Sequence, residues 1–296
     1  MSSEIVVTQE MLERIARLKP RLRMKALSMI GQQEWQRCSD DVFYWFDESR
    51  HPVLGAYVFT KDPHPMYRCQ ICSKDELKKT LTYRASDRNK HLEMAHKVVS
   101  KSEGETRGYF LELDTTRPFP WHLPYMKPIV QTWLNEPIVI WEKSRDMTAT
   151  WLTVALYTWD TLFHKGRENI FQSEDTTKTL DLVQRANFIY RNQPKFLRGV
   201  HKAVFGAGSS KSGKLSVPTL ESVIMGFPQG ADQIRQFHPS GIYTDETAFQ
   251  VGAGDSFAAI KPAIQNGGRY TAVSSAYPSW FWHAARDRLD QIVESR

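Results

Sequence analysis

The spacing of apolar positions changes along the chain, and each change predicts a different kind of structure. Near the start, Met11, Leu12, Ile15 and Leu18 recur with the 3.6-residue period of an amphipathic helix. Thr8 offers an N-cap hydroxyl, Pro20 stops or redirects the helix, and residues 1–65 read as a helical N-terminal segment. From Lys61 to Arg107 the pattern breaks into short, charged, Pro- and His-rich stretches, followed by a polar run over 101–108 that reads as a linker. Beyond Phe110, short apolar runs alternate with helix-period segments. Residues 137–141 are continuously apolar, as in a strand buried on both faces. Residues 149–164 form an amphipathic helix closed by Gly166, 169–172 a strand and 175–190 a second helix. Further strands are expected at 222–227, 241–244 and 269–274, and a helix at 282–295. Strands alternating with helices predict an α/β fold with a largely parallel sheet.

Composition narrows the class. The 296 residues carry 39 Lys/Arg against 33 Asp/Glu, a net charge of +6 that tilts the expected partners toward polyanions such as nucleic acid. Nine tryptophans and an apolar fraction of 41% exclude a disordered chain. The longest apolar stretch, 151–163, is interrupted by Asp160 and is too short to span a bilayer. The N-terminus lacks a basic region followed by an apolar one, so secretion is not expected. Three cysteines make no disulfide framework, and Cys38 is expected to be a buried apolar residue.

Cys69 and Cys72, two residues apart, are followed by His91 and His96, and this set can close a tetrahedron around zinc. A metal would also explain how so polar a segment folds, because its binding free energy is folding free energy. The expectation is a small Cys2His2 module over 66–98 holding structural Zn²⁺. The same residues also read as two reduced cysteines in a turn beside two surface histidines.

A second constellation follows the apolar strand ending at Trp141. Lys143, Ser144, Arg145, Asp146, Met147, Thr148, Ala149 and Thr150 form a loop that opens directly into a helix, where backbone N–H groups gather a phosphate. Lys143 can bring its ammonium to the phosphates, and the Thr150 hydroxyl sits where a Mg²⁺ ligand belongs. The loop equally reads as a charged surface turn. Residues 208–214 match a glycine-lysine phosphate loop more closely in letters, but Leu215 replaces the metal-binding hydroxyl and no apolar strand precedes them, so they read as a cationic surface loop. A third constellation is the strand ending in Asp245 and Glu246, one acid to hold Mg²⁺ and one to orient or deprotonate water. Ser274, Ser275 and Ala276 end the next strand, where a small hydroxyl can sense the γ-phosphate.

In this order, Lys143–Met147 with Thr150, 171–173 and 179–190, 242–246 and 274–276 resemble the N-terminal ATPase (motor) domain of tailed-phage large terminases, over roughly 118–296. The resemblance implies a P-loop NTPase (ASCE-type) core over 110–296, with a mainly parallel central sheet flanked by helices. It implies ATP and Mg²⁺ as ligands: Lys143 on phosphates, Thr150 and Asp245 on the metal, Glu246 as the catalytic carboxylate, and 274–276 coupling hydrolysis to movement. Arg235, or alternatively Arg145, would act on a neighbouring subunit's ATP. The implied partners are double-stranded DNA gripped without regard to sequence, a portal protein, a terminase small subunit and further copies in a ring, in the cytoplasm of an infected cell. Such lysine-first loops occur in that family, but Thr148 stands where glycine is usual, and a β-branched residue resists positive φ. The zinc module is not a general feature of the family. No nuclease activity is expected from this chain, since Asp287, Asp290 and Glu294 are spaced like a solvated helix face. The alternatives are a non-catalytic zinc-finger adaptor on a degenerate ATPase scaffold, or another ring ATPase or helicase.

Overall fold

The computed structural model describes residues 6–62, 66–99, 105, 108–145, 147–206 and 213–286. The chain forms two compact units, one of Met1–Phe59 with Pro118–Arg296 and the other of Thr60–Arg117. The inserted unit therefore runs wider than 66–98, and the N-terminal segment belongs to the unit that holds the large sheet. Most of 101–108, all of 207–212 and 287–296 lie outside the described residues.

Thr8 caps the first helix, α1 (Gln9–Ala16), its hydroxyl oxygen accepting from Met11 N at 3.2 Å. Pro20 then starts a helix instead of only ending one: it sits in the first turn of α2 (Pro20–Asp40), where its missing N–H costs nothing. Asp41 caps the short α3 (Val42–Phe46). These helices join the main core because their polar edges bond it directly. Trp159 Nε1 donates to Cys38 O at 2.6 Å, Trp35 Nε1 to Leu162 O at 3.2 Å, and Ser39 Oγ to Phe163 O at 2.9 Å. Glu34, wholly buried, accepts from the Tyr44 and Tyr57 hydroxyls at 2.7 and 2.8 Å and pairs with Arg37, which satisfies an otherwise costly charge. After Phe46 the segment leaves helix, apart from a single turn at 48–50.

The chain passes into the inserted unit through β1 (Phe59–Lys61). That unit contains an antiparallel sheet in the order β3-β2-β4, with β2 at Met66–Cys69, β3 at Tyr83–Arg84 and β4 at Phe110–Glu112. Its helix α4 (Arg88–His96) ends at Lys97 with φ 56°. The chain leaves through β5 (Thr116–Pro118), the ladder partner of β1.

The main unit continues with α5 (Met126–Asn135), β6 (Ile138–Glu142), α6 (Ala149–Phe163), β7 (Glu168–Ser173), α7 (Thr176–Asn192) and the short α8 (Lys195–Arg198). The strands β8 (Val204–Gly206), β9 (Lys214–Val217), β10 (Ser222–Pro228), β11 (Gly241–Asp245) and β12 (Arg269–Ser274) complete one seven-stranded sheet, with α9 (Ala253–Gln265) and α10 (Trp280–Arg286) beside it. Its order is β6-β12-β11-β7-β10-β9-β8; the first five strands are parallel, and at one edge β9 pairs antiparallel with β10 and β8 pairs antiparallel with β9. The fold is mixed α/β with a mainly parallel central sheet flanked by helices.

Period-2 alternation divides the sheet between two cores. Phe171, Tyr243 and Val273 join the cluster of α6 and α7, while Ile170, Ile242 and Ala272 join that of α9 and α10. Helix α6 is apolar around nearly its whole circumference, and every residue from Leu152 to Phe163 is buried. It approaches β11 closely because Gly241 has no side chain: a Cβ there would lie 2.5 Å from Tyr157.

Candidate functional site

The carboxyl ends of β6, β12 and β11 meet the N-terminus of α6, the crevice where open α/β sheets bind ligands. Because β12 lies between β6 and β11, the loop after β6 and the acids after β11 face each other across one strand. Lys143 Nζ donates to Glu246 Oε1 at 2.7 Å, with the lysine side chain only 11% exposed. The Thr150 hydroxyl lies 3.3 and 3.5 Å from the two carboxylate oxygens of Asp245. Ser274 Oγ is 3.4 Å from Glu246 Oε2 and accepts from Ala248 N at 3.1 Å, while Ser274 O accepts from Lys143 N at 3.0 Å. One residue of β12 thus touches both flanking loops.

Two residues sit in the left-handed region. Thr148 has φ 57° and Glu246 φ 50°, values that turn the chain sharply at the start of α6 and at the end of β11. Thr148 makes no side-chain cap, and the first backbone bond of α6 runs from Leu152 N to Thr148 O. The N–H groups of the first turn therefore remain available to an anion. Tyr125 OH donates to Met147 O at 3.3 Å, anchoring the loop to the turn before α5. A cavity of about 470 Å³ in the same unit is lined by Phe46, Phe119, Trp121, Leu123 and Lys127 among others, just before Tyr125.

Burial pushes the Asp245 carboxyl above its ordinary value, opposed by the Tyr243 hydroxyl, which donates to Oδ1 at 2.7 Å. The neighbouring Glu246 charge pushes it further up, and Lys143 and Arg185 pull it down. A recessed carboxylate beside a hydroxyl is a hard oxygen donor set, which suits Mg²⁺ and gains from its charge. Tyr243 was not anticipated from sequence. It lies two residues before Asp245 on the same face of β11, so the strand period alone could have found it.

The remaining expected residues fall at different distances from this centre. Ser144 and Arg145 lie in the loop, with Arg145 exposed, and Asp146 is outside the described residues. Ala149 is buried at the start of α6; Ser275 is half-buried and Ala276 exposed beyond Ser274. Arg235 is exposed and paired with Asp232 at 3.0 Å.

In the inserted unit Cys69, Cys72, His91 and His96 converge, their ligand atoms all within 4.8 Å of one another. Cys69 Sγ to His96 Nε2 and Cys72 Sγ to His91 Nε2 are each 3.5 Å; Cys72 Sγ to His96 Nε2 and His91 Nε2 to His96 Nε2 are each 3.2 Å. Bonds of about 2.0–2.3 Å to a tetrahedral zinc give edges of about 3.3–3.8 Å; these four separations lie close to that range, and the remaining two, up to 4.8 Å, would close by about 1 Å around the ion. Both cysteines are free thiols.

No family model matches the sequence, and no curated protein matches it. Among solved structures, the chain is similar to the large terminase of bacteriophage HK97, at 12% identity and TM-score 0.46, over 58% of this chain and 37% of that one. It is similar to a variant ATPase domain of the Thermus phage P74-26 large terminase, at 11% identity and TM-score 0.41, over 53% of this chain and 66% of that one. A third is the large terminase of a thermophilic bacteriophage in complex with ADP, at 13% identity and TM-score 0.39, over 56% and 42%. The chain spans from 37% to 66% of the lengths of these proteins.

Proposed function

We propose that this chain is an ATPase motor domain of the viral terminase large-subunit kind, which hydrolyses ATP to drive double-stranded DNA into a procapsid. The observation that supports this most is the convergence of Lys143 with Glu246 and of Thr150 with Asp245 across the single strand β12. In this reading the triphosphate lies over the loop at the N-terminus of α6. Lys143 exchanges its carboxylate partner for phosphate oxygens, which frees Glu246. Thr150 and Asp245 would hold Mg²⁺, which supplies charge neutralisation to the phosphates when bound. Glu246 orients a water, whose oxygen bonds to the γ-phosphorus as the bond to the β,γ-bridging oxygen breaks, and takes its proton.

Ser274 links the acid loop to the lysine loop, so a change at the γ-phosphate reaches both through one hydroxyl and one carbonyl. Ser274–Ala276 would carry that change into movement. Arg235 or Arg145, both exposed, would serve a neighbouring copy's nucleotide in a ring. A portal and a small subunit would complete the assembly, and Cys69, Cys72, His91 and His96 would hold structural Zn²⁺. The test is steady-state ATP hydrolysis by the wild type and by Glu246→Gln. A rate in the wild type that falls by about 100-fold or more in the variant supports the reading; equal rates refute it.

A further inference from the structure

Positive charge is densest near the start of the chain, just after Glu10 and Glu13. Residues 14–25 contain Arg14, Arg17, Lys19, Arg21, Arg23 and Lys25 and no acid, so these six cations equal the net charge of +6 of the whole chain. All six are exposed, and among the described residues none is in an ion pair. Residues 61–107 are also cationic, but there Lys78 and Lys79 are paired with Asp75 and Glu76.

The fold explains why the six stand clear. They occupy the end of α1, the turn at Leu18 and Lys19, and the first turns of α2, whose buried face begins only at Ile30. The cluster therefore bridges two helices and the turn between them. The exposed apolar residues do not gather on a single face as a membrane-lying helix requires: on α2, Met24 projects about 160° from Leu22, while Met29 lies about 20° from Leu22.

We infer that residues 14–25 form a docking surface for the phosphate backbone of double-stranded DNA, read without regard to sequence. The identity of the partner rests on the function proposed above; its location on this surface does not follow from the nucleotide site. Arginine supplies four of the six cations, and its planar fork pairs with phosphate oxygens two at a time.

The experiment measures binding of a labelled duplex of about 30 base pairs by anisotropy across a salt series, using the full chain. In the compared variant, Arg14→Gln, Arg17→Gln, Arg21→Gln and Lys25→Gln are combined. The expected result is a dissociation constant raised at least about tenfold near 100 mM salt, with the log–log salt slope reduced by about three to four. A second variant with Arg14→Lys, Arg17→Lys and Arg21→Lys keeps the charge and keeps most of the affinity. ATP turnover without DNA is the same in all three proteins. An unchanged affinity and slope in the glutamine variant overturns the inference, and so does binding to anionic phosphatidylserine vesicles with no binding to duplex. If the wild type hydrolyses ATP and the glutamine variant still binds duplex like the wild type, the docking surface is wrong and the motor reading stands. If no ATP is hydrolysed but duplex binding falls in the glutamine variant, the reverse holds.

Discussion

The Lys143 ammonium and the Glu246 carboxylate, 103 residues apart in the chain, are held 2.7 Å from each other. A lysine already paired with an acid must change partner when phosphate arrives. Glu246→Gln removes the competing charge as well as the proton acceptor. Turnover should fall by about 10²- to 10⁴-fold while nucleotide affinity holds or tightens. Lys143→Ala should lose affinity instead. Fluorescent-nucleotide titration beside single-turnover hydrolysis separates the two effects.

The left-handed Thr148 sets up a second expectation. A non-glycine residue in this region costs roughly 1–2 kcal/mol, while glycine costs chain entropy of about 0.5–1 kcal/mol. Thr148→Gly should therefore leave stability within about 1 kcal/mol of the wild type and preserve nucleotide binding. Thr148→Pro, which fixes φ near −65°, cannot make the turn and should abolish binding. Urea unfolding and nucleotide titration of both variants check this.

Tyr243 donates to Asp245 from within the core. Removing its hydroxyl in Tyr243→Phe frees Asp245 Oδ1 from its 2.7 Å bond and leaves the ring packed between Tyr157 and Phe171. A hydrogen bond to a charged group is worth about 1.5–3 kcal/mol, so the Mg²⁺ concentration for half-maximal nucleotide binding should rise about 10- to 100-fold. Binding measured in EDTA should not change. A variant that weakened both equally would show a merely structural role for the tyrosine.

The four converging ligands of the inserted unit predict one equivalent of zinc in protein purified without a metal-binding tag. Cys72→Ser should lose the metal. Hydrogen exchange should then accelerate throughout Thr60–Arg117 and remain slow in α6, because among the described residues this small unit has only a short apolar cluster around Leu92 and Phe110. Metal analysis below about a tenth of an equivalent in the wild type would remove zinc from the account.

Much of the large sheet was legible because its strands are buried on both faces and read as short apolar runs. The runs at 137–141, 222–227, 241–244 and 269–274 fall within a residue or so of β6, β10, β11 and β12. The meeting of Lys143 with Glu246 was legible only as an order of motifs; what creates it is the insertion of β12 between β6 and β11, a long-range pairing that no local pattern encodes. Helix α9 was missed because Gly252, Gly254 and Pro262 punctuate it; Trp280 packs where a side chain at position 254 would lie, and Pro262 sits near the end, where few bonds are lost. The N-terminal helices gave their period but not their destination. Trp35 and Trp45 dock on α6 through contacts more than a hundred residues distant, which also explains why 1–59 shares a unit with the sheet.

The most direct test of the nucleotide site is a structure of the protein with Mg²⁺ and a non-hydrolysable ATP analogue. The account predicts phosphate oxygens within hydrogen-bonding distance of Lys143 Nζ, about 2.7–3.2 Å, and the metal between the Thr150 hydroxyl and Asp245. A triphosphate bound elsewhere, with Lys143 still paired to Glu246, would contradict it.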